Sequence, residues 1–397
     1  LNDTARPLTA DEARRAAAAI VPALKQRAQR CEDLRRCPDE SIAEFNESGL
    51  MRVMQPRRFG GSELGIDAVV DIAIELCRGC PSTAWVWLNL ATHAWNIGQF
   101  RIEAQHDVWD SDPYATAATG LAFPCGKAQK VDGGYRLSGR WPFASGIDAA
   151  TWMLAGGMVE VGTGAPERRF FLVPKAHYRS LDNWRAYGLT GTGSHDVEIV
   201  DAFVPEHRTI NAERFASGLE THGAQEYGTL VYRLPPYPTF GFALGVVPLG
   251  SAKAAVGEYV EVTRKRAGTY TGARLAELLP LQIRIGEASA CVDYFEKTMR
   301  ADMAEMIAMV ERNESLSVEA RLRWKRNVSF GTVLMKRAVD TLMAASGAGG
   351  LVSSGAMQRH FRDVNAAAAH IALTWDVQAA AYGQHALGMP LQSGLLI

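Results

Sequence analysis

Twice along this chain the hydrophobic period changes, and that change limits the fold more than any single motif does. From Thr9 to about Asp112, apolar residues recur at helical spacing, as in "ARRAAAAIVPALKQRAQRCEDL" and "AVVDIAIELCRGC", with breaks at "RCPDES" and "RRFGGSELG". Pro38 followed by Asp39 and Glu40, with Ile42 and Phe45 three apart beyond them, predicts the first turn of a helix. Between about Ala115 and Val204 the runs shorten to "YRLSGRWPFAS", "TWMLAGGMVEV", "RRFFLVP" and "HDVEIVDAFVP", punctuated by "DGG", "GTGAP" and "TGTGS". That middle third reads as an antiparallel β unit. After a Pro- and Gly-rich connection, "RLPPYPTFGFALG", helical spacing returns from about Val247 to Leu387, in helices long enough for an antiparallel bundle. The expected class is α+β, mostly α, in three parts: a helical domain over 1–112, a β domain over 113–215 and a helical bundle over 216–397.

Charge and composition remove several function classes. With 42 Lys and Arg against 43 Asp and Glu, and no basic stretch, the chain lacks what binding to a phosphate backbone requires, so nucleic acid is not an expected partner. Charges interrupt the apolar runs before they reach the roughly 20 residues of a membrane span, so no membrane association is expected. The N-terminal stretch lacks the basic head and apolar centre of a secretory signal, and the six Cys show no disulfide framework; both suit a cytoplasmic protein. "CRGC", Cys77 to Cys80, has zinc-knuckle spacing without a second pair, and reads better as a helix end with two buried thiols; no metal site is expected.

Candidate chemistry is sparse. "GTGSHD" and "GAGGLVSSG" match no P-loop and open no βαβ unit, which disfavours nucleotide folds of the P-loop or Rossmann type; "GTGS" is either a tight turn or a turn that meets a ligand. Two His have unusual settings. His93 lies in the aromatic, apolar run "STAWVWLNLATHAWNIGQF", and His370 lies in "FRDVNAAAAHIALTWD", seven positions after Asp363 and so on nearly the same face of one helix. Each is either a satisfied core residue or a ligand contact. Ser145, in "WPFASG", has no hydrolase elbow and no adjacent base. It either satisfies a turn or offers a hydroxyl to a heteroaromatic ring.

The spaced blocks "MQPRRFGG", "STAW", "TH", "GRWPFASG", "YTGA", "LMAASGA" and "QRHFRDVNAAAAH" carry a family likeness over nearly the whole chain. Together they resemble the reduced-flavin-dependent monooxygenases of the acyl-CoA dehydrogenase fold, the oxygenase components of two-component aromatic hydroxylases such as those acting on p-hydroxyphenylacetate and on secosteroid phenols. The resemblance implies an N-terminal helical domain, a central antiparallel β domain and a C-terminal four-helix bundle. It implies reduced FMN or FAD as cofactor, O2 as co-substrate, a separate NAD(P)H-flavin reductase, a small aromatic substrate and a homotetramer. By the same resemblance Ser145 would hydrogen-bond near flavin N5 and His370 would sit beside the reactive edge of the ring, both retaining the C4a-hydroperoxide. His93 would meet the phenol oxygen, Trp85 and Phe143 would line the ring, Arg266 would meet the flavin phosphate across a subunit interface, and the Gly347 to Gly350 turn, with Gly349, would approach the flavin from a neighbouring chain.

Thr119 and Tyr237 stand where the p-hydroxyphenylacetate enzyme has Ser and Arg, which implies a different phenolic or indolic substrate. Trp87, Trp95 and Trp152 either enlarge the aromatic surface or fill core. A true acyl-CoA dehydrogenase needs a carboxylate base after its Arg-Asp pair, and "RDVNAAAAHIAL" has His370 and no Glu. Oxygenation at nitrogen or sulfur is an alternative use of the same chemistry, and a non-enzymatic relic of the fold is the remaining reading.

Overall fold

In the computed structural model the described residues are 6–160, 164–268, 272–353 and 355–391, so parts of the "GTGAP" and "YTGA" blocks lie outside them. Five helices come first: α1 (Ala10–Leu34), α2 (Asp39–Glu47), α3 (Ile66–Cys77), α4 (Pro81–Ile97) and α5 (Ile102–Trp109). Thr9 caps α1 reciprocally, its hydroxyl accepting from the Glu12 backbone N–H while the Glu12 carboxylate accepts from that of Thr9. Pro38 stands immediately before α2, whose first residues Asp39 and Glu40 face the positive end of the helix dipole.

Eight strands follow: β1 (Ala117–Gly120), β2 (Gly126–Val131), β3 (Gly134–Ala144), β4 (Trp152–Val159), β5 (Glu167–Pro174), β6 (Arg179–Leu181), β7 (His195–Pro205) and β8 (Thr209–Asn211). They form one sheet in the order β6-β7-β3-β2-β4-β5-β8, with β1 beside β4. The sheet is mixed rather than wholly antiparallel, because β4 runs parallel to both β1 and β2. Strand period alone carries no information on direction, so the expectation of antiparallel pairing fails at this strand. Three short helices, α6 (Ala212–Ser217), α7 (His222–Tyr227) and α8 (Leu230–Arg233), lead to the C-terminal helices α9 (Pro236–Lys265), α10 (Leu279–Glu311), α11 (Val318–Ala345), α12 (Ala356–Ala367) and α13 (Trp375–Ala386).

The chain packs as two units. The first comprises residues up to Val69, Trp85–Ala186 and Thr190–Pro236; the second comprises Val70–Ala84, Tyr187–Leu189 and everything from Tyr237 onward. α4, of which Trp85–Ile97 lies in the first unit, is apolar almost all round and is buried along its length, Asn89 alone being half-buried. Trp87 and Trp95 of α4 are core residues, not ligand surface: both are fully buried, and their indole N–H groups donate to the Leu50 carbonyl at 3.0 Å and the Val231 carbonyl at 2.8 Å. Trp152 is also buried, beneath the Arg208 guanidinium.

In the second unit α9 begins eleven residues before the expected return of helical spacing at Val247. Pro236 and Pro238 lie in its first turn, where no backbone N–H is needed, so the Pro-rich "connection" is a helix start. Among the described residues α9 is the one helix long and apolar enough to cross a membrane, and 72% of its most apolar stretch is buried inside the fold. Beside it stand α10 and α11: Lys253 pairs with Glu296 of α10 and Gly245 sits against Val328 of α11, while the Phe330 and Trp375 rings bring α11 to α13. Cys77 and Cys80 are buried at and just beyond the end of α3, the Cys77 thiol donating to the Val247 carbonyl, as expected for a helix end.

The α10/α11 contact depends on Gly331, where an added Cβ would stand 1.9 Å from the Phe295 ring. Gly331→Ala is expected to destabilise the protein by about 1–3 kcal/mol through overpacking. Denaturant unfolding checks this, and an unchanged midpoint would contradict the close approach.

Candidate active site

Ser145 directly follows β3, at a place where the strand is deliberately irregular. The pairing of β3 with β7 shifts register between Trp141 and Ala144, and within that bulge Phe143 has φ 63°, an uncommon conformation for an aromatic residue. The bulge turns the Phe143 ring outward, 67% exposed, with Trp184 edge-on to it at 6.3 Å. Trp184 is held in turn by its backbone N–H donating to His195 Nδ1 at 3.1 Å. Gly146 has φ 75°, donates its N–H to the Thr192 carbonyl at 2.9 Å, and lies so close to α4 that a Cβ would come within 3.2 Å of Val86. A glycine is needed there on both counts.

These contacts set the Ser145 hydroxyl in a chain of polar groups. The Trp85 indole N–H donates to Ser145 Oγ at 3.1 Å, Ser145 Oγ lies 2.8 Å from Ser194 Oγ, and Ser194 Oγ lies 2.7 Å from Thr192 Oγ1. Ser194 and Thr192 come from "GTGS"; the turn was visible in the sequence, but not which of its hydroxyls would reach Ser145.

Two turns further along α4 from Trp85, His93 is buried among Ala117 and Thr119 of β1. Its Nδ1 lies 2.7 Å from the Ala117 carbonyl, and a carbonyl can only accept, so Nδ1 carries the hydrogen. In the neutral ring Nε2 is then an acceptor, and the Thr119 hydroxyl is 3.4 Å from it. Burial pulls the His93 pKa down to about 4, the Ala117 bond opposing this only in part, so the ring is neutral at pH 7.

At 100° per residue Trp85, Asn89, His93 and Asn96 share an arc of roughly 80° on α4. Asn96 was not singled out by the sequence, yet it is fully buried and neither of its amide atoms has a protein partner among the described residues. An unpaired buried amide is costly, so this polar stripe is suited to a polar ligand.

The second unit holds the other candidates. His370 does not lie on α12: that helix ends at Ala367, and the chain tightens into turns in which the amides of Ala369 and His370 bond three residues back instead of four. The His370 ring reinforces this end, its Nδ1 accepting from the Ala372 N–H at 3.2 Å, so the neutral ring carries its hydrogen on Nε2. Burial lowers its pKa to about 4. Asp363, expected on the same face, instead accepts from the Leu189 N–H at 2.6 Å. Tyr237 is buried in the first turn of α9. Arg266 and the glycine turn do meet: Gly347 has φ 60°, and a Cβ on Gly349 would lie 3.4 Å from the Arg266 guanidinium. Arg266 has no carboxylate partner among the described residues, which fits a cation held for an anionic ligand.

Each donor set, taken within its own unit, suits one kind of group. Hydroxyl and indole groups beside an exposed aromatic ring suit a heteroaromatic ring system, and a guanidinium against a glycine turn suits a phosphate.

The chain is similar to known proteins along most of its length. Residues 7–110 match the acyl-CoA dehydrogenase N-terminal domain and residues 242–375 the acyl-CoA dehydrogenase C-terminal domain. The FADH(2)-dependent resorcinol hydroxylase oxygenase component of Rhizobium sp. is 35% identical, covering 94% of this chain and 93% of its own. The p-hydroxyphenylacetate 3-hydroxylase oxygenase component of Acinetobacter baumannii is 30% identical over 93% of this chain and 87% of its own. The crystal structure of 3-HSA hydroxylase from Rhodococcus sp. RHA1 superposes with a TM-score of 0.91 at 32% identity, covering 96% of this chain and 98% of that one.

Because His93 is neutral when folded, it opposes folding wherever the unfolded chain would protonate it. Its contribution is complete above its ordinary pKa of 6.5 and is lost as pH falls from about 6.5 to about 4, an effect of about 3 kcal/mol. Urea unfolding across that range should show a shallower loss of stability for His93→Gln than for the native chain; parallel curves would place the proton elsewhere. The chain belongs to the acyl-CoA dehydrogenase fold family, in the branch formed by the oxygenase components of flavin-dependent monooxygenases.

Proposed function

We propose that this protein takes reduced FMN or FAD from a separate reductase and, with O2, hydroxylates a small phenolic or indolic ring. The observation that carries this reading is His93: a neutral imidazole, fixed by the Ala117 carbonyl so that Nε2 faces Thr119 as an acceptor, on the helix stripe that also places Trp85 against Ser145. When bound, the reduced flavin supplies two electrons to O2 and an electrophilic oxygen atom, the second oxygen leaving as water.

The residues of this chain then have distinct work. His93 Nε2 accepts the hydrogen of a phenol, which raises the electron density of its ring, and Thr119 holds the same oxygen in place. Asn96 offers an amide to a second polar group of the substrate, and Tyr237 is a substrate contact by the family likeness alone. Trp85 and Phe143 line the flavin ring, Ser145 bonds at its N5 edge, and Arg266 with the Gly347 and Gly349 turn of a neighbouring subunit holds its phosphate. His370, with its hydrogen on Nε2, is a donor and serves proton control at the reacting edge. Burial of α4 excludes water from this chemistry. Dehydrogenation lacks its base, since the position after Arg362 and Asp363 carries His370 and no carboxylate.

The three-part division at 112/113 and 215/216, a cytoplasmic location and a homotetrameric state belong to the same proposal. Exposed Leu279, Ile283 and Tyr294 on α10 and Phe330 on α11 supply apolar surface for subunit contacts. Light scattering at micromolar concentration should give four times the chain mass, and a monomer would sink that assignment.

With His93→Ala, hydroxylated product per reduced flavin consumed should fall by roughly 100-fold or more, with the oxygen recovered as hydrogen peroxide. Product and peroxide measured together test this; undiminished product would remove His93 from its role.

A further inference from the structure

The hydroxyls of Ser145, Ser194 and Thr192 stand in a line with separations of 2.8 Å and 2.7 Å. Ser194 and Thr192 are 5% and 1% exposed, so water does not compete for their bonds. A hydroxyl has one hydrogen to give and two lone pairs, and an indole N–H only donates. Trp85 therefore always occupies one lone pair of Ser145. What remains to Ser145 is one lone pair and one hydrogen, and the direction of the chain decides which of them faces outward. If Thr192 donates to Ser194 and Ser194 to Ser145, Ser145 presents its hydrogen. If Ser145 donates to Ser194 and Ser194 to Thr192, Ser145 presents a lone pair. The two arrangements share the same heavy-atom positions and differ only by rotation of hydroxyl hydrogens.

Flavin N5 makes opposite demands in its two redox states, being a bare acceptor when oxidised and an N–H donor when reduced. We propose that Ser194, backed by Thr192, is a positioning residue that reverses the Ser145 hydrogen bond between these states and thereby favours reduced flavin. This rests on the reading that Ser145 meets N5. Ser194 acts through Ser145 and touches neither flavin nor substrate. Its decisive service is to accept the Ser145 hydrogen while Trp85 and the reduced ring both donate to Ser145. Without it, the hydrogen of the half-buried Ser145 loses its protein acceptor beneath the ring. With oxidised flavin the Ser145 hydrogen goes to N5 and Ser194 is dispensable. An oxygenase fed by a separate reductase must capture reduced flavin and release the oxidised form, and this arrangement supports that asymmetry.

Equilibrium binding of oxidised and of dithionite-reduced FMN and FAD, the latter under anaerobic conditions, tests the proposal without turnover. Ser194→Ala should raise the reduced-flavin Kd roughly 10-fold, the effect of one donor left without its acceptor, and leave the oxidised-flavin Kd within about 2-fold. Ser194→Thr, which keeps the hydroxyl, should restore the native ratio, and Thr192→Val should shift it in the same direction as Ser194→Ala by a smaller factor. In a Ser145→Ala background Ser194→Ala should have no further effect, since it acts through Ser145. Equal weakening of both redox forms, or no weakening, would overturn the inference while leaving the site intact, provided Ser145→Ala alone weakens reduced-flavin binding. If Ser145→Ala changes neither Kd, Ser145 does not meet the flavin and the inference falls with that part of the reading.

Discussion

Everything proposed for the first unit depends on burying a helix that carries polar residues on one side. α4 satisfies its apolar faces by packing and two of its indoles by backbone carbonyls, which leaves Trp85, Asn89, His93 and Asn96 as a polar stripe on which the Asn96 amide has no protein partner among the described residues. Trp85 is answered by Ser145 and His93 by Ala117. Because each of these partners belongs to the sheet or its immediate exit, the same bonds that settle the helix also orient the groups available to a ligand. Structural satisfaction and functional placement are one arrangement here, and the tautomer of His93 is its clearest product.

Much of this was legible in the sequence and some was not. The change from helical to strand spacing and back located nearly every long element, because burial of one face imposes the period directly. Strand direction was not legible, since residues on parallel and antiparallel strands alternate identically, and β4 runs parallel to two neighbours. Pro236 and Pro238 looked like a connection because proline breaks a helix everywhere except its first turn. His370 looked helical because alanines surround it, whereas its own ring accepts a backbone N–H and helps close the helix end. At the site, Ser145, His93 and Trp85 stood out by their surroundings. Ser194, Thr192 and Asn96 did not, because a hydroxyl in a turn and an amide on a helix acquire meaning only through what folding brings beside them.

The second unit shows the same limit differently. Arg266 and the glycine turn are some eighty residues apart, and no spacing rule joins them; the family likeness did, and the structure places Gly349 against the guanidinium. Packing here is unforgiving in places. Gly331 admits the Phe295 ring only because it lacks a side chain, so the α10/α11 crossing is fixed by the absence of a single carbon.

Phe143 carries a consequence of another kind. A φ of 63° on a β-bulge holds an aromatic residue in a conformation that costs of order 1–3 kcal/mol, and its ring is mostly exposed. Glycine at that position would relieve the strain and give up little packing, so selection for stability alone would be expected to remove the ring. The residue thus marks a point where the most stable version of this chain and the most useful one are different molecules.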